Sequence, residues 1–161
     1  MKLRYLLLAA AVCGCLSGSL LAQKIEKAAE KPKFDAELAK RLGADPYGMK
    51  NYVFVILKTG PADANFKGKE RDDIFAGHMA NIGRLADEGK LAVAGPFGKN
   101  EIGYRGLFIF NVATVDEAKK LVETDPAVKA GILMAEMTPW YGSASLMATP
   151  EIHKKIQEKN F

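Results

Sequence analysis

Two runs of this chain, Tyr52-Val53-Phe54-Val55-Ile56-Leu57 and Leu107-Phe108-Ile109-Phe110-Asn111-Val112, are apolar at every position but Asn111. Their β-branched and aromatic composition makes each a strand. A strand with one wet face alternates apolar and polar residues, and these do not. Any sheet that holds both must be covered on both faces. Two further strands are expected. One is Leu91-Ala92-Val93-Ala94, broken by Gly95-Pro96; the other is Ile132 to Met137, running into Pro139-Trp140-Tyr141. Asp72 is the expected N-cap of a first helix, in which Ile74, Phe75, Met79, Ile82, Leu85 and Ala86 recur at helical spacing until Gly89. Thr114-Val115-Asp116-Glu117 is a capping box for a second helix, with Ala118, Leu121 and Val122 as its buried stripe. The order β-α-β-β-α-β predicts an α+β fold, a ferredoxin-like antiparallel sheet with both helices on one face. The other face needs its own cover. A second copy would create a homodimer, a dimeric α+β barrel with a ligand-sized space between two sheets. The alternative is a private core, closed with help from the terminal extensions.

The chain has 161 residues, room for one domain. Residues 1–22 read as a secretory signal peptide. Lys2 and Arg4 make a short positive start, the stretch from Leu3 to Ala11 is an almost unbroken apolar run too short to span a bilayer, and Leu20-Leu21-Ala22 offers a cleavage site before Gln23. This predicts an exported, periplasmic protein. Residues 23–50 read as a tether with a short helix, Phe34 to Leu42, stopped by Gly43. Residues 51–142 are the domain, and 143–161 are a C-terminal tail, partly helical from Thr149-Pro150. Both cysteines, Cys13 and Cys15, lie in the leader. Cleavage after Ala22 leaves no thiol for a disulfide, a nucleophile or a metal cluster. In a second reading, Cys15 ends a lipobox-like stretch and becomes a lipid anchor, making an envelope lipoprotein.

The net charge of +4 is spread among alternating Lys and Glu or Asp, with no basic stripe for nucleic acid. No nucleophilic Ser motif, Walker loop or dinucleotide fingerprint is present, so no cofactor is expected. Two histidines far apart in sequence make a metal site improbable.

His78 falls within roughly 80° of Ile74, Ile82 and Leu85 around the first helix, so it points with the apolar stripe. It is either a hydrogen-bonded core histidine or a general base. Asp125 is either the N-cap of the turn Pro126 to Ala130 or the partner of His78. Tyr104 and Arg105 lie in the loop that follows Phe97 and offer contacts to a carboxylate or phenolate; an exposed loop face is the alternative. Trp140 and Tyr141 either line an aromatic pocket or close the edge of the core. His153 belongs to a lysine-rich, solvated tail.

Several pieces recur in an order that resembles the YCII-related family. They are His78-Met79; Asp87-Glu88-Gly89-Lys90-Leu91 with Ala94-Gly95-Pro96-Phe97; Gly106 to Phe110; Glu117-Ala118; Asp125-Pro126-Ala127-Val128-Lys129-Ala130-Gly131; and Pro139-Trp140. The resemblance covers Tyr52 to Tyr141. It implies a dimeric α+β barrel and an acid–base dyad facing a pocket, which falls on His78 and Asp125. It also brings proton abstraction from phenolic rings within range, since one relative removes chloride from a chlorinated hydroxyquinol. Many members carry Arg three residues before the His. Phe75 stands there in this chain, so an anion-binding role at that position is lost or moved. The expectation is a small lyase- or isomerase-type enzyme acting on a phenolic or enolisable molecule. The alternative is a non-catalytic small-molecule-binding or accessory protein of the cell envelope, with Arg105, Tyr104, Phe97 and Trp140 as binding residues in either case.

Overall fold

The computed structural model describes residues 33–159. The leader, its cleavage site, both cysteines and residues 23–32 of the tether lie outside the described residues. The elements below all belong to the unit that begins at Asp35.

Helix α1 (Ala36–Leu42) starts where the Asp35 side chain accepts from the Leu38 backbone N–H at 2.9 Å. Strand β1 (Met49–Thr59), helix α2 (Gly68–Asp87), β2 (Leu91–Pro96) and β3 (Tyr104–Phe110) follow. Then come α3 (Val115–Val122), the single turn α4 (Pro126–Lys129), β4 (Leu133–Ser143) and α5 (Thr149–Ile156). The strands pair antiparallel in the order β2-β3-β1-β4, as a ferredoxin-like β-α-β-β-α-β chain requires. The capping box forms as expected, with Thr114 accepting from the Glu117 N–H and Glu117 from the Thr114 N–H.

Several boundaries differ from the sequence reading. Strand β2 runs on through Gly95-Pro96, which were expected to break it, and β3 begins at Tyr104, so Tyr104 and Arg105 stand in a strand and not in the expected loop. Helix α2 begins at Gly68 rather than after Asp72, and Lys67 supplies no side-chain cap. Lys69, Glu70 and Arg71 favour helix by propensity, and Lys69 pairs with Asp73 at 2.7 Å one turn on. That segment lacks apolar periodicity, so the pattern missed it. Strand β1 starts three residues before its apolar run. Strand β4 continues through Pro139 to Ser143; it is an edge strand, where a missing N–H is tolerated.

On the helix-bearing face, Val53, Val55, Leu57, Phe108, Phe110 and Leu133 pack with Leu85, Leu91, Ala118 and Val122. Tyr52, Ala92 and Ile109 form the second cluster, on the opposite face. Leu146 and Met147, from the 3-10 turn Ala144–Ala148, cover part of it. The cover is incomplete. Met134 and Trp140, on that same face by strand alternation, remain 45% and 38% exposed.

Asp45 ties the turn before β1 to β4. Its Oδ1 accepts from the backbone N–H of Tyr47 and Met49 at 2.8 and 3.0 Å, and Tyr141 donates its hydroxyl to Oδ2. The Tyr141 hydrogen bond, followed by that from Met49, holds the Asp45 carboxyl below its ordinary value of 3.8. A carboxyl depressed in the folded state stabilises it at pH above the unfolded value, and this contribution fades as pH falls through the folded value. Carboxyl carbon NMR should therefore show Asp45 titrating below 3.8, and Tyr141→Phe should move the midpoint upward.

Candidate active site

The apolar stripe of α2 faces the sheet and carries His78 into the core layer, where it is 8% exposed. Its ring stacks on Phe108 of β3 at 6.0 Å between centroids and meets Phe75 edge-on at 5.8 Å. Asp125, 0% exposed, stands between α3 and α4. Its Oδ1 accepts from the N–H groups of Ala127 and Val128 at 2.9 and 3.4 Å. Its Oδ2 lies 2.7 Å from His78 Nδ1. The two readings of Asp125 are thus both met by one carboxylate, one oxygen for each.

Opposite an ionised Asp125, the proton on the ring has one place to be. An ionised carboxylate only accepts, so Nδ1 donates and a neutral imidazole keeps its lone pair on Nε2. Among the described residues Nε2 has no hydrogen-bond partner, and no fully buried side-chain nitrogen or oxygen is left without one. Nε2 is therefore not fully buried.

Gly77 allows this meeting. A Cβ there would stand 3.0 Å from Cγ of Pro126, the residue after Asp125. Absence of a side chain lets α4 approach α2 closely enough for the carboxylate to reach the ring. Gly77→Val should push α4 outward and cost about 1–3 kcal/mol of stability, read as a lower denaturant midpoint.

Two arginines are linked to His78 through the Phe75 ring and the Asp63 carboxylate. Arg71 lies seven residues before His78, on nearly the same side of α2. Its guanidinium covers the Phe75 ring at 5.1 Å and donates to Asp63 Oδ1 at 2.7 Å and to the Asp63 carbonyl at 3.1 Å. Arg105 reaches the same carboxylate at 3.5 Å. Register slips between Leu57 and Lys58, whose partners are Gly106 and Tyr104, so Arg105 is the extra residue of a β-bulge. Bulges re-aim side chains, and this one turns Arg105 toward Asp63. Two guanidinium groups share one carboxylate. The sequence reading did not single out Arg71, although its seven-residue spacing from His78 was available.

The expected binding residues do not gather in one place within the chain. Arg105 joins Arg71 and Phe75 on the helix-bearing side. Tyr104 pairs with Lys58, which lies over its ring at 5.6 Å, and Phe97 rests against Tyr104 at 5.9 Å. Trp140 packs on Tyr52 and Phe54 at 5.8 and 6.3 Å. Tyr104 and Trp140 thus occupy the face opposite His78, with the sheet between. Strand alternation is the reason: successive residues point to opposite faces. Among the described residues no three His, Cys, Asp or Glu side chains converge as metal ligands.

The family model of the YCII-related domain matches residues 52–140, more than half the chain. No curated protein matches. Among solved structures, the chain is similar to 5-chloro-2-hydroxyhydroquinone dehydrochlorinase from Burkholderia phenoliruptrix AC1100 in complex with 2,5-dihydroxybenzoquinone. The two are 25% identical, with 55% of this chain and 92% of that one covered and a TM-score of 0.39. The matched residues run from β1 into β4 and include both His78 and Asp125. With that match and a ferredoxin-like strand order, the chain belongs to the YCII-related domain family.

Proposed function

We propose that this protein is a small acid–base enzyme of the lyase or isomerase type, acting on a phenolic or enolisable molecule. One observation carries the reading: His78 Nδ1 lies 2.7 Å from a buried carboxylate oxygen, while Nε2 has no partner among the described residues. A base needs that arrangement, because the carboxylate holds the ring in the right tautomer and stabilises the imidazolium that forms. Nε2 takes a proton from a hydroxyl or an acidic carbon, and the electron pair stays on the substrate as a phenolate or enolate. The Arg71 guanidinium over Phe75, with Arg105 on the Asp63 carboxylate it shares, favours that anion. The proton then returns to a different carbon, or a leaving group departs from the neighbouring one.

The test follows ring protons of hydroxyquinol in deuterated buffer by NMR. Hydroxyquinol exchanges ring protons through its keto tautomers, so a base acting on it accelerates exchange without needing the natural leaving group. Exchange faster than in buffer supports the reading. Binding of the probe with no acceleration points instead to a non-catalytic binding protein that uses the same site.

The same reading closes the open sheet face with a second copy. Met134 and Trp140 are exposed there, and Phe54 and Leu107 are only partly buried. Sedimentation at micromolar concentration should give a dimer, and Met134→Asp should yield the monomer. Export to the periplasm also belongs to the proposal and rests on the leader sequence. Mass spectrometry of the mature N-terminus distinguishes a start at Gln23 from a lipidated Cys15.

A further inference from the structure

Asp125 is fixed to its own turn, since Oδ1 caps Ala127 and Val128. Its reach to His78 is therefore set by where the segment Thr124-Asp125-Pro126 sits on α2. On one side of Asp125 the packing of Pro126 against Gly77 sets that place. On the other side a polar latch does so, one and two turns beyond His78.

Arg84 is the hub of this latch. Its Nη2 donates to Asn81 Oδ1 at 2.7 Å and to Thr124 Oγ1 at 3.1 Å, and its Nη1 donates to Glu88 Oε1 at 2.7 Å. The guanidinium has only donors, so the Asn81 atom that faces it must be the oxygen. Thr124 Oγ1 is 2.7 Å from the Leu121 carbonyl and 3.0 Å from Asn81 Oδ1. One hydroxyl proton serves one acceptor at a time, and the nearer is the Leu121 carbonyl. The bond across the seam is then the one from Arg84 to Thr124, with Asn81, 8% exposed, orienting the guanidinium from its own helix.

We infer that Arg84, Asn81 and Thr124 are positioning residues for the His78–Asp125 pair, holding the residue before Asp125 at the distance from α2 that the imidazole contact requires. The inference rests on the acid–base reading for its functional meaning, but its geometric content stands apart from turnover. A latch with no bearing on His78 would add stability and nothing else.

Thr124→Val keeps the shape of an exposed side chain and removes the oxygen that Arg84 grips, so the fold should survive. In full-length protein labelled with nitrogen-15 at histidine, the Nδ1 proton of His78 should exchange with solvent on the order of tenfold faster in Thr124→Val, the equivalent of one hydrogen bond. Thr124→Ser should restore the wild-type rate, and Arg84→Gln should repeat the loss. If the wild type exchanges hydroxyquinol protons, Thr124→Val should lower kcat with little change in KM. An Nδ1 proton exchanging at the wild-type rate in Thr124→Val overturns the inference, whatever happens to the melting temperature. Absence of turnover in the wild type, with the Nδ1 effect present, overturns the acid–base reading and leaves the latch standing.

Discussion

Replacing His78 with glutamine should abolish hydroxyquinol exchange, lowering the rate by about 10²–10⁴-fold, the ordinary contribution of a positioned base. The glutamine amide can still donate to Asp125 Oδ2, so the buried carboxylate keeps a partner and stability should stay near wild type. Alanine at the same position should cost the same activity and, in addition, about 1–3 kcal/mol of stability, because Oδ2 then loses its donor at a site that is 0% exposed. The pair of variants separates chemistry from packing. Equal exchange rates in wild type and His78→Gln would remove the histidine from the mechanism, and denaturant unfolding of both variants supplies the control.

Asp125 should show the opposite separation. Asp125→Ala removes the cap of α4 and strands the His78 Nδ1–H in one step. The two losses together should destabilise the fold by about 2–4 kcal/mol. Asp125→Asn keeps an oxygen for the N–H groups of Ala127 and Val128 and should fold almost as well. Its amide nitrogen then faces His78 Nδ1, and that nitrogen must become the acceptor. The ring proton moves to Nε2, where it blocks the lone pair that the reaction uses. Exchange should therefore fall by about 10²–10⁴-fold in a well-folded protein. Full activity in Asp125→Asn would mean that the tautomer does not matter and that the carboxylate serves only as a cap.

The strand order and the inward direction of His78 were legible because both follow from local periodicity. Four short β-rich runs and two stretches of helical spacing fix the order of elements, and the alignment of Ile74, His78, Ile82 and Leu85 puts the imidazole on the buried side. The double duty of Asp125 was legible only as two competing readings, since spacing shows a cap but not what its second oxygen meets 47 residues away. Arg71 was missed because it lies just before the expected N-cap at Asp72, in a polar segment that propensity and ion pairing, not an apolar stripe, make helical. Gly77 was silent for a related reason. A glycine inside a helix announces nothing until the neighbour that needs the space is known, and Pro126 lies far along the chain. Tyr104 and Arg105 were grouped by adjacency, yet a bulge and the pleat send them to opposite sides of the sheet. The 3-10 turn that carries Leu146 and Met147 onto the second face lies in a stretch without strong periodicity, so the extent of private cover there could not be anticipated.

The most direct measurement is nitrogen-15 NMR of His78 in the intact protein at pH about 8, above the ordinary imidazole value. The account expects a proton on Nδ1, in hydrogen-bonded contact with Asp125, and a bare Nε2, with the pattern inverted in Asp125→Asn. A wild-type ring protonated on Nε2, or one that does not respond when Asp125 becomes Asn, would contradict it.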